Sequence, residues 1–208
     1  MTKPELILIG AGGHARSCID VIELGDEYQI AGLVDAQTSD ESSQRYPVLG
    51  TDQDLTDLAK QYKYALIVVG QILSAETRIR LFSQAATAGF QFPTIISLNA
   101  YASKNAQIGS GTIVMHGAIV NANARIGQNC IINSRSLIEH DVEVADHCHI
   151  STASVINGGV RIGSGTFMGS GCVVKEYVNI GAGCIVGMGQ IVLNDLADST
   201  QMKGPQQK

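Results

Sequence analysis

Tryptophan is absent from this chain of 208 residues, and aromatic side chains make up only 5% of it. A core built on large rings is excluded, although 45% hydrophobic residues supply ample aliphatic material. Positive charge is short as well: 14 Lys and Arg stand against 19 Asp and Glu, for a formal net charge of −5. That leaves no basic footprint, so nucleic acid is not an expected partner. No apolar run approaches the ~20 residues of a membrane-spanning helix, and Met1 to Glu5 does not read as a secretory signal. No insertion into a membrane is expected. The five cysteines include no C-x-x-C pair, so reduced, structural thiols in a cytoplasmic protein are the expectation.

What is present is a repeat. Every sixth residue from Ile108 to Val192 is Ile, Val or Met, without a failure: Ile108, Val114, Val120, Ile126 and onward through Ile180, Val186 and Val192. Four residues after each stands a small or β-branched residue, such as Thr112, Ala118, Cys130, Ser136 or Cys148, until Gln190 breaks the series. A six-residue period matches neither a helix, at 3.6 residues per turn, nor an alternating strand, at two. It matches a solenoid in which short strands turn a corner and three of them close one triangular coil of eighteen residues. The branched residue points into the prism and the small one turns the corner. The scarcity of rings suits so narrow an interior. Cys130, Cys148, Cys172 and Cys184 all occupy the corner position, where a thiol acts as a compact apolar group. A parallel β-helix of about five coils is expected. Its repeats resemble those of the hexapeptide-repeat acyltransferases, and that resemblance implies a left-handed winding.

Before the repeat, Glu5 to Ile9 reads as a buried strand running into Gly10-Ala11-Gly12-Gly13-His14-Ala15 and then a helical pattern through Ala15, Ile19 and Ile22. Strand, glycine turn and helix at G-x-G-x-x-A spacing bring backbone amides toward a phosphate at the helix N-terminus. A second strand, Ile30 to Val34, ends in Asp35, where a carboxylate can take a ribose or base. Thr51 with Asp54 opens a helix whose inward face is Leu55, Leu58, Ala59 and Tyr62. Tyr64 to Val69 reads as a third strand, Ser74 to Ala88 as a helix with Ile79, Phe82 and Ala86 inward, and Pro93 to Ile96 as a last strand. This is a small Rossmann-like α/β unit over residues 1–98, followed by the β-helix over 99–208 with a cap and loose end after Asp195. One mononucleotide-binding half cannot make a dinucleotide site. The glycine turn is therefore read as a nucleotide or nucleotide-sugar pocket.

Outward positions of a prism are free to vary, so unusual ones are informative. Glu139-His140-Asp141 interrupts the small polar habit of the repeat at a corner, with Asn133, Glu143, His147 and His149 nearby. A histidine beside a carboxylate is the minimum for a general base. His147-x-His149 could alternatively project both rings to one side for zinc, but no third ligand has evident spacing, and no metal is expected. Cys148 points inward in this register, which argues against a covalent acyl-enzyme.

The combination of Gly12-Gly13-His14 in a small α/β unit with Glu139-His140-Asp141 and His149 on an uninterrupted hexapeptide helix resembles the sialic-acid O-acetyltransferase and nucleotide-amino-sugar N-acetyltransferase family. The resemblance covers essentially the whole chain. It implies acetyl transfer from acetyl-coenzyme A to the amino group, at C4 in the bacillosamine branch, of a nucleotide-activated amino sugar. It puts the catalytic base on His140 with Asp141 beside it, and coenzyme contacts on His149, Gly158, Ser170, Gly187 and Met188. The nucleotide-sugar site falls on Gly12, Gly13, His14, Asp35, Gly70 and Asn133. It further implies a homotrimer with active sites between subunits. Ala36 stands where the bacillosamine branch has a second acidic residue, and Gly70 to Arg78 is longer than in that branch, so UDP, GDP and dTDP all stay open. Two other readings are carried: O-acetylation of sialic acid or another sugar, and a non-catalytic β-helix binding module.

Overall fold

The computed structural model describes residues 2–36 and 45–203. Strand β1, Glu5–Ile9, lies between β2, Gln29–Val34, and β4, Tyr64–Ile67, and β3, Val48–Gly50, completes the order β3-β2-β1-β4. All pairings are parallel. Both sides of the sheet are covered, which is why β1 reads as an unbroken apolar run. Leu6 and Leu8 pack beneath α1, Gly13–Gly25, against Ala15, Cys18, Ile19 and Ile22. Ile7 and Ile9 face the other way, toward Leu55 and Leu58 of α2, Leu55–Leu58, and Leu81, Phe82 and Ala85 of α3, Glu76–Ala88. Thr51 and Asp54 form the capping box, opening a short 3-10 turn before α2.

Three sequence expectations shift here. Val48–Gly50 forms an edge strand that three residues without alternation do not signal. In α3 the inward face is Arg78, Leu81, Phe82 and Ala85, while Ala86 is exposed, because the helix is phased by the burial of Arg78. Ile95–Ile96 does not belong to the α/β sheet: it pairs with Ile113–Val114 and is the first rung of the prism.

The prism is a left-handed parallel β-helix of two-residue strands. Its first face carries seven strands, from Ile95–Ile96 to Gln201–Met202; its second six, from Tyr101–Ala102 to Ile191–Val192; its third five, from Gln107–Ile108 to Asn179–Ile180. Partners stand eighteen residues apart, as Ile131 with His149 and Arg125 with Glu143. The six-residue series from Val114 to Val192 forms one buried column with the corner residues Ala118, Cys130, Cys148, Cys172 and Cys184. Coils approach so closely that a Cβ on Gly127 would lie 2.6 Å from Asp146 N, which makes glycine obligatory there. The last coil is shortened rather than lost: Ile185 pairs with Gln201, sixteen residues on, so Met202 still packs on the column. Gly204 and Pro205 lie outside the described residues.

The α/β unit docks on the early rungs of the first face. Ile95, Ile113, Met115 and Ile131 join the cluster beneath α1. Arg78 fastens the junction. Its fully buried guanidinium donates to Ile67 O (3.1 Å), Val69 O (2.6 Å), Asn129 O (3.1 Å) and Asn129 Oδ1 (2.7 Å). The second face, by contrast, presents an uncovered apolar strip of Tyr101, Ile119, Leu137, Val155, Val173 and Ile191, with Tyr101 58%, Ile119 40% and Ile191 64% exposed.

Candidate active site

His149 is the first outward residue of the first face beyond the docked unit, and it is 6% exposed. Its Nδ1 lies 2.6 Å from Gln71 O, a carbonyl that can only accept. On the other side, Asn133 Oδ1 accepts from Ser134 N at 2.8 Å, which turns its Nδ2 toward His149 Nε2 at 3.0 Å. Both contacts select the neutral ring protonated at Nδ1. Burial enforces the same state, pulling the imidazole down to about 4 from 6.5 despite the Gln71 bond. His14 lies 6.4 Å away, centre to centre, and burial, helped by the Arg78 charge, lowers it to about 3. Phe167 meets the His149 ring edge-on at 5.2 Å.

Beyond His149 opens a cavity of about 720 Å³ with an apolar lining of Ile72, Leu73, Phe167, Ile185, Met188 and Met202. Ser170, Gly187 and Ser151 line it too, and Ser151 and Ser170 share a hydrogen bond of 2.9 Å. Such a mixture, apolar walls with a few fixed polar groups, suits an organic ligand.

His140 lies elsewhere. It occupies the corner between the second and third faces, and in a three-sided prism that edge is opposite the first face. Its Nδ1 is 2.9 Å from Asp141 Oδ2, and both side chains are more than half exposed. Asp141 Oδ1 accepts from Asn123 Nδ2 at 3.3 Å, and Glu139 Oε2 accepts from Asn121 Nδ2 at 3.1 Å. The His140 and Asn123 bonds hold the Asp141 carboxyl below its usual range. Gly158 belongs to this edge, not to the first-face cavity, for its Cβ would lie 2.7 Å from His140 Cε1. Within one chain the prism core thus separates the His140 pair from His149.

The glycine turn forms a third group. Gly12 caps α1 without a side-chain bond, and Asp35 Oδ2 accepts from Ala11 N at 2.8 Å across the turn. A hollow of about 190 Å³ lies alongside, lined by Gly10, Asp35, Ala36, Asp52, Thr77 and Arg80. Neither His14 nor Gly70 lines this hollow: the His14 ring lies by His149, and a Cβ on Gly70 would meet His14 Cβ at 3.6 Å.

The two histidines considered for zinc do not act together. His147 sits at a left-handed corner, its Nδ1 3.0 Å from Asn129 Nδ2 and its ring edge-on to Phe82, while His149 is held by Gln71 and Asn133. Cys148 is wholly buried, its thiol pushed up by Cys130 and burial and donating to Gly163 O at 3.1 Å, so it faces no ligand. Sequence reasoning missed Gln71, whose backbone carbonyl does the work and so leaves no trace in residue type. It also missed Asn123, although the eighteen-residue step from Asp141 pointed to it.

Comparison with known proteins agrees with this architecture. Residues 5–85 match the PglD N-terminal domain, and residues 103–140 match the bacterial transferase hexapeptide model of six repeats. No curated protein sequence matches the chain. Among solved structures, the chain is similar to PerB from Caulobacter crescentus in complex with CoA and GDP-perosamine. Identity is 34%, 96% of this chain and 94% of that one are covered, and the TM-score is 0.89. A mutant of perosamine N-acetyltransferase from Caulobacter crescentus, in complex with CoA and GDP-perosamine, gives 33% identity, 96% and 93% coverage and a TM-score of 0.90. The acetyltransferase domain of PglB from Neisseria gonorrhoeae, in complex with acetyl coenzyme A, gives 28%, 98% and 97%, and 0.90. An α/β unit docked on a hexapeptide prism, matched over nearly the full length of these enzymes, means that the chain belongs to the sialic-acid O-acetyltransferase and nucleotide-amino-sugar N-acetyltransferase family and is an acetyltransferase.

Proposed function

We propose that the chain transfers the acetyl group of acetyl-coenzyme A to the C4 amino group of a nucleotide-linked amino-deoxy sugar. The observation that carries this reading is the His140–Asp141 pair, 2.9 Å apart on an exposed prism edge. Support comes from perosamine N-acetyltransferase, a mutant of which is seen in complex with CoA and GDP-perosamine and resembles this chain along its length. Asp141 accepts from Nδ1–H, leaving Nε2 of His140 to take the proton. The amine nitrogen attacks the thioester carbon and gives its proton to Nε2. The carbon–sulfur bond then breaks, and the imidazolium returns the proton to the sulfur, releasing the free thiol and the amide. A backbone amide steadies the oxyanion. An amine is already nucleophilic when neutral, so no acyl-enzyme is required. A positioned base is worth roughly 10²–10⁴-fold in rate and an oxyanion donor roughly 10²–10³-fold.

The nucleotide end of the acceptor is assigned to Gly12, Gly13, His14, Asp35 and Gly70. The coenzyme is assigned to His149, Gly158, Ser170, Gly187 and Met188, with Asn133 on the acceptor side. Since one prism keeps His140 and His149 on opposite sides, the site is composite. In a homotrimer, the apolar second face of one copy meets its neighbour and carries the His140 edge to that neighbour's first face. A cytoplasmic location goes with this reading, because all five cysteines are free and buried.

The test is thiol release from acetyl-coenzyme A across UDP-, GDP- and dTDP-linked 4-amino sugars, with free sialic acid alongside. Turnover of an amino-sugar nucleotide is expected. Turnover of sialic acid alone would replace amide formation by ester formation, and no release from any acceptor would favour a binding module.

A further inference from the structure

The space beside His140 has a second wall. Gly158 and Gly159 form the turn one coil beyond Glu139 to Asp141, and His140 leans onto them from below, 2.7 Å from where a Gly158 Cβ would be. Tyr177 leans onto the same turn from the coil above. A Cβ on Gly159 would lie 2.5 Å from its Cδ1 and 2.6 Å from its Cε1. Backbone bonds fix this stacking: Gly159 N–H donates to His140 O and Tyr177 N–H to Gly158 O, each at 3.0 Å. An imidazole and a phenol thus converge on two glycines from opposite sides.

Local preference does not account for Tyr177. Its φ of 61° is left-handed, and the same corner in the preceding coils holds Asn123, Asp141 and Gly159, residue types that tolerate that region. Core packing does not account for it either, since Tyr177 is 72% exposed. A bulky ring kept in an unfavourable backbone conformation, uncovered, beside a proposed base, is the pattern of a side chain retained for a ligand.

We propose that Tyr177 binds the acyl donor, its ring forming the wall along which the pantetheine arm of acetyl-coenzyme A lies while the thioester carbon reaches His140. The proposal rests on the reading of His140 as the base. The direction of the prism assigns the ligand. The α/β unit, to which the acceptor's nucleotide is assigned in the proposed function, docks on the early coils, so the acceptor approaches from that end. Tyr177 lies two coils past Asp141, about 10 Å along the axis, toward the other end. An extended arm attached through sulfur spans that distance; the acetyl methyl does not.

The probe is CoA titrated calorimetrically into the full chain. Tyr177→Gly removes the ring and relieves the left-handed strain, so it should melt at the same temperature or higher and keep its oligomeric state. It should nevertheless bind CoA at least about tenfold more weakly, a loss of about 1.4 kcal/mol. The KM for acetyl-coenzyme A should rise more than kcat falls, and Tyr177→Phe, which keeps the ring, should retain CoA affinity. Unchanged CoA affinity in Tyr177→Gly overturns the proposal, and so does a change in oligomeric state, which would make Tyr177 a subunit-packing residue. His140→Ala separates the two levels. If it stays active, the base assignment fails; if it is inactive while Tyr177→Gly binds CoA normally, only the Tyr177 assignment fails.

Discussion

His140 and His149 stand nine positions apart on one prism, yet their surroundings separate their chemistry. His140 is exposed with a carboxylate at Nδ1, whereas His149 is buried between a carbonyl and a carboxamide. Replacing His140 by Ala should lower kcat by about two to four orders of magnitude and leave the fold intact, because the ring lies outside the core. Asp141→Asn should cost less, since the imidazole remains and only its orientation suffers. Near-normal kcat for His140→Ala on the true acceptor would remove it from the mechanism. His149 makes a different prediction. Its folded value of about 4 lies below the ordinary 6.5, so the unfolded chain takes up a proton that the folded chain refuses. Its contribution to stability is complete above pH 6.5 and is lost as pH falls toward 4, with His14 acting in the same direction down to about 3. The urea midpoint should drop across that window, and a non-titrating replacement such as His149→Asn should flatten the slope. A coenzyme affinity that titrates near pH 6.5 would contradict the neutral, buried ring.

At the scale of elements, α3 is phased by one charged residue. Arg78 spends its NH1 and NH2 groups on the end of β4 and on the Asn129 corner of the prism, so one guanidinium ties sheet, helix and β-helix together. Burial lowers it to about 10, which still leaves it charged at neutral pH. Hydrogen bonds to a charged group are each worth about 1.5–3 kcal/mol, and buried acceptors left unpaired add to the loss. Arg78→Ala should therefore destabilise the protein by about 3 kcal/mol or more. It should also loosen the Gln71 carbonyl from His149, so urea unfolding and CoA binding should weaken together. Loss of stability with full CoA affinity would show that the two elements are docked independently of Arg78.

For the whole molecule, the strip from Tyr101 to Ile191 is too continuous an apolar surface to leave in water. Light scattering at micromolar concentration should give a trimer. Ile119→Glu, which puts a charge on a residue 40% exposed in the single chain, should dissociate it and abolish turnover while each prism stays folded. An active monomer would rule out the composite site.

The prism is legible in residue spacing alone. A period of six fixes which residue points inward at each step, and the column from Val114 to Val192 follows that register without exception. Strand, glycine turn and helix at Glu5 to Gly25 were equally legible, because local hydrogen bonding and sterics are written in residue type. The His140–Asp141 contact was legible for the same reason, the two being neighbours in the chain. Folding alone joins distant segments through groups that residue identity does not reveal. The Gln71 carbonyl on His149 is main chain, so any residue would read the same. Gln201–Met202 enters the first face sixteen residues after Ile185, out of the repeat's step, whereas Ile95–Ile96 stands eighteen residues before Ile113–Val114, in the register the repeat already sets. The separation of His140 from His149 by the prism core is a property of closing three walls, and no spacing along the chain contains it.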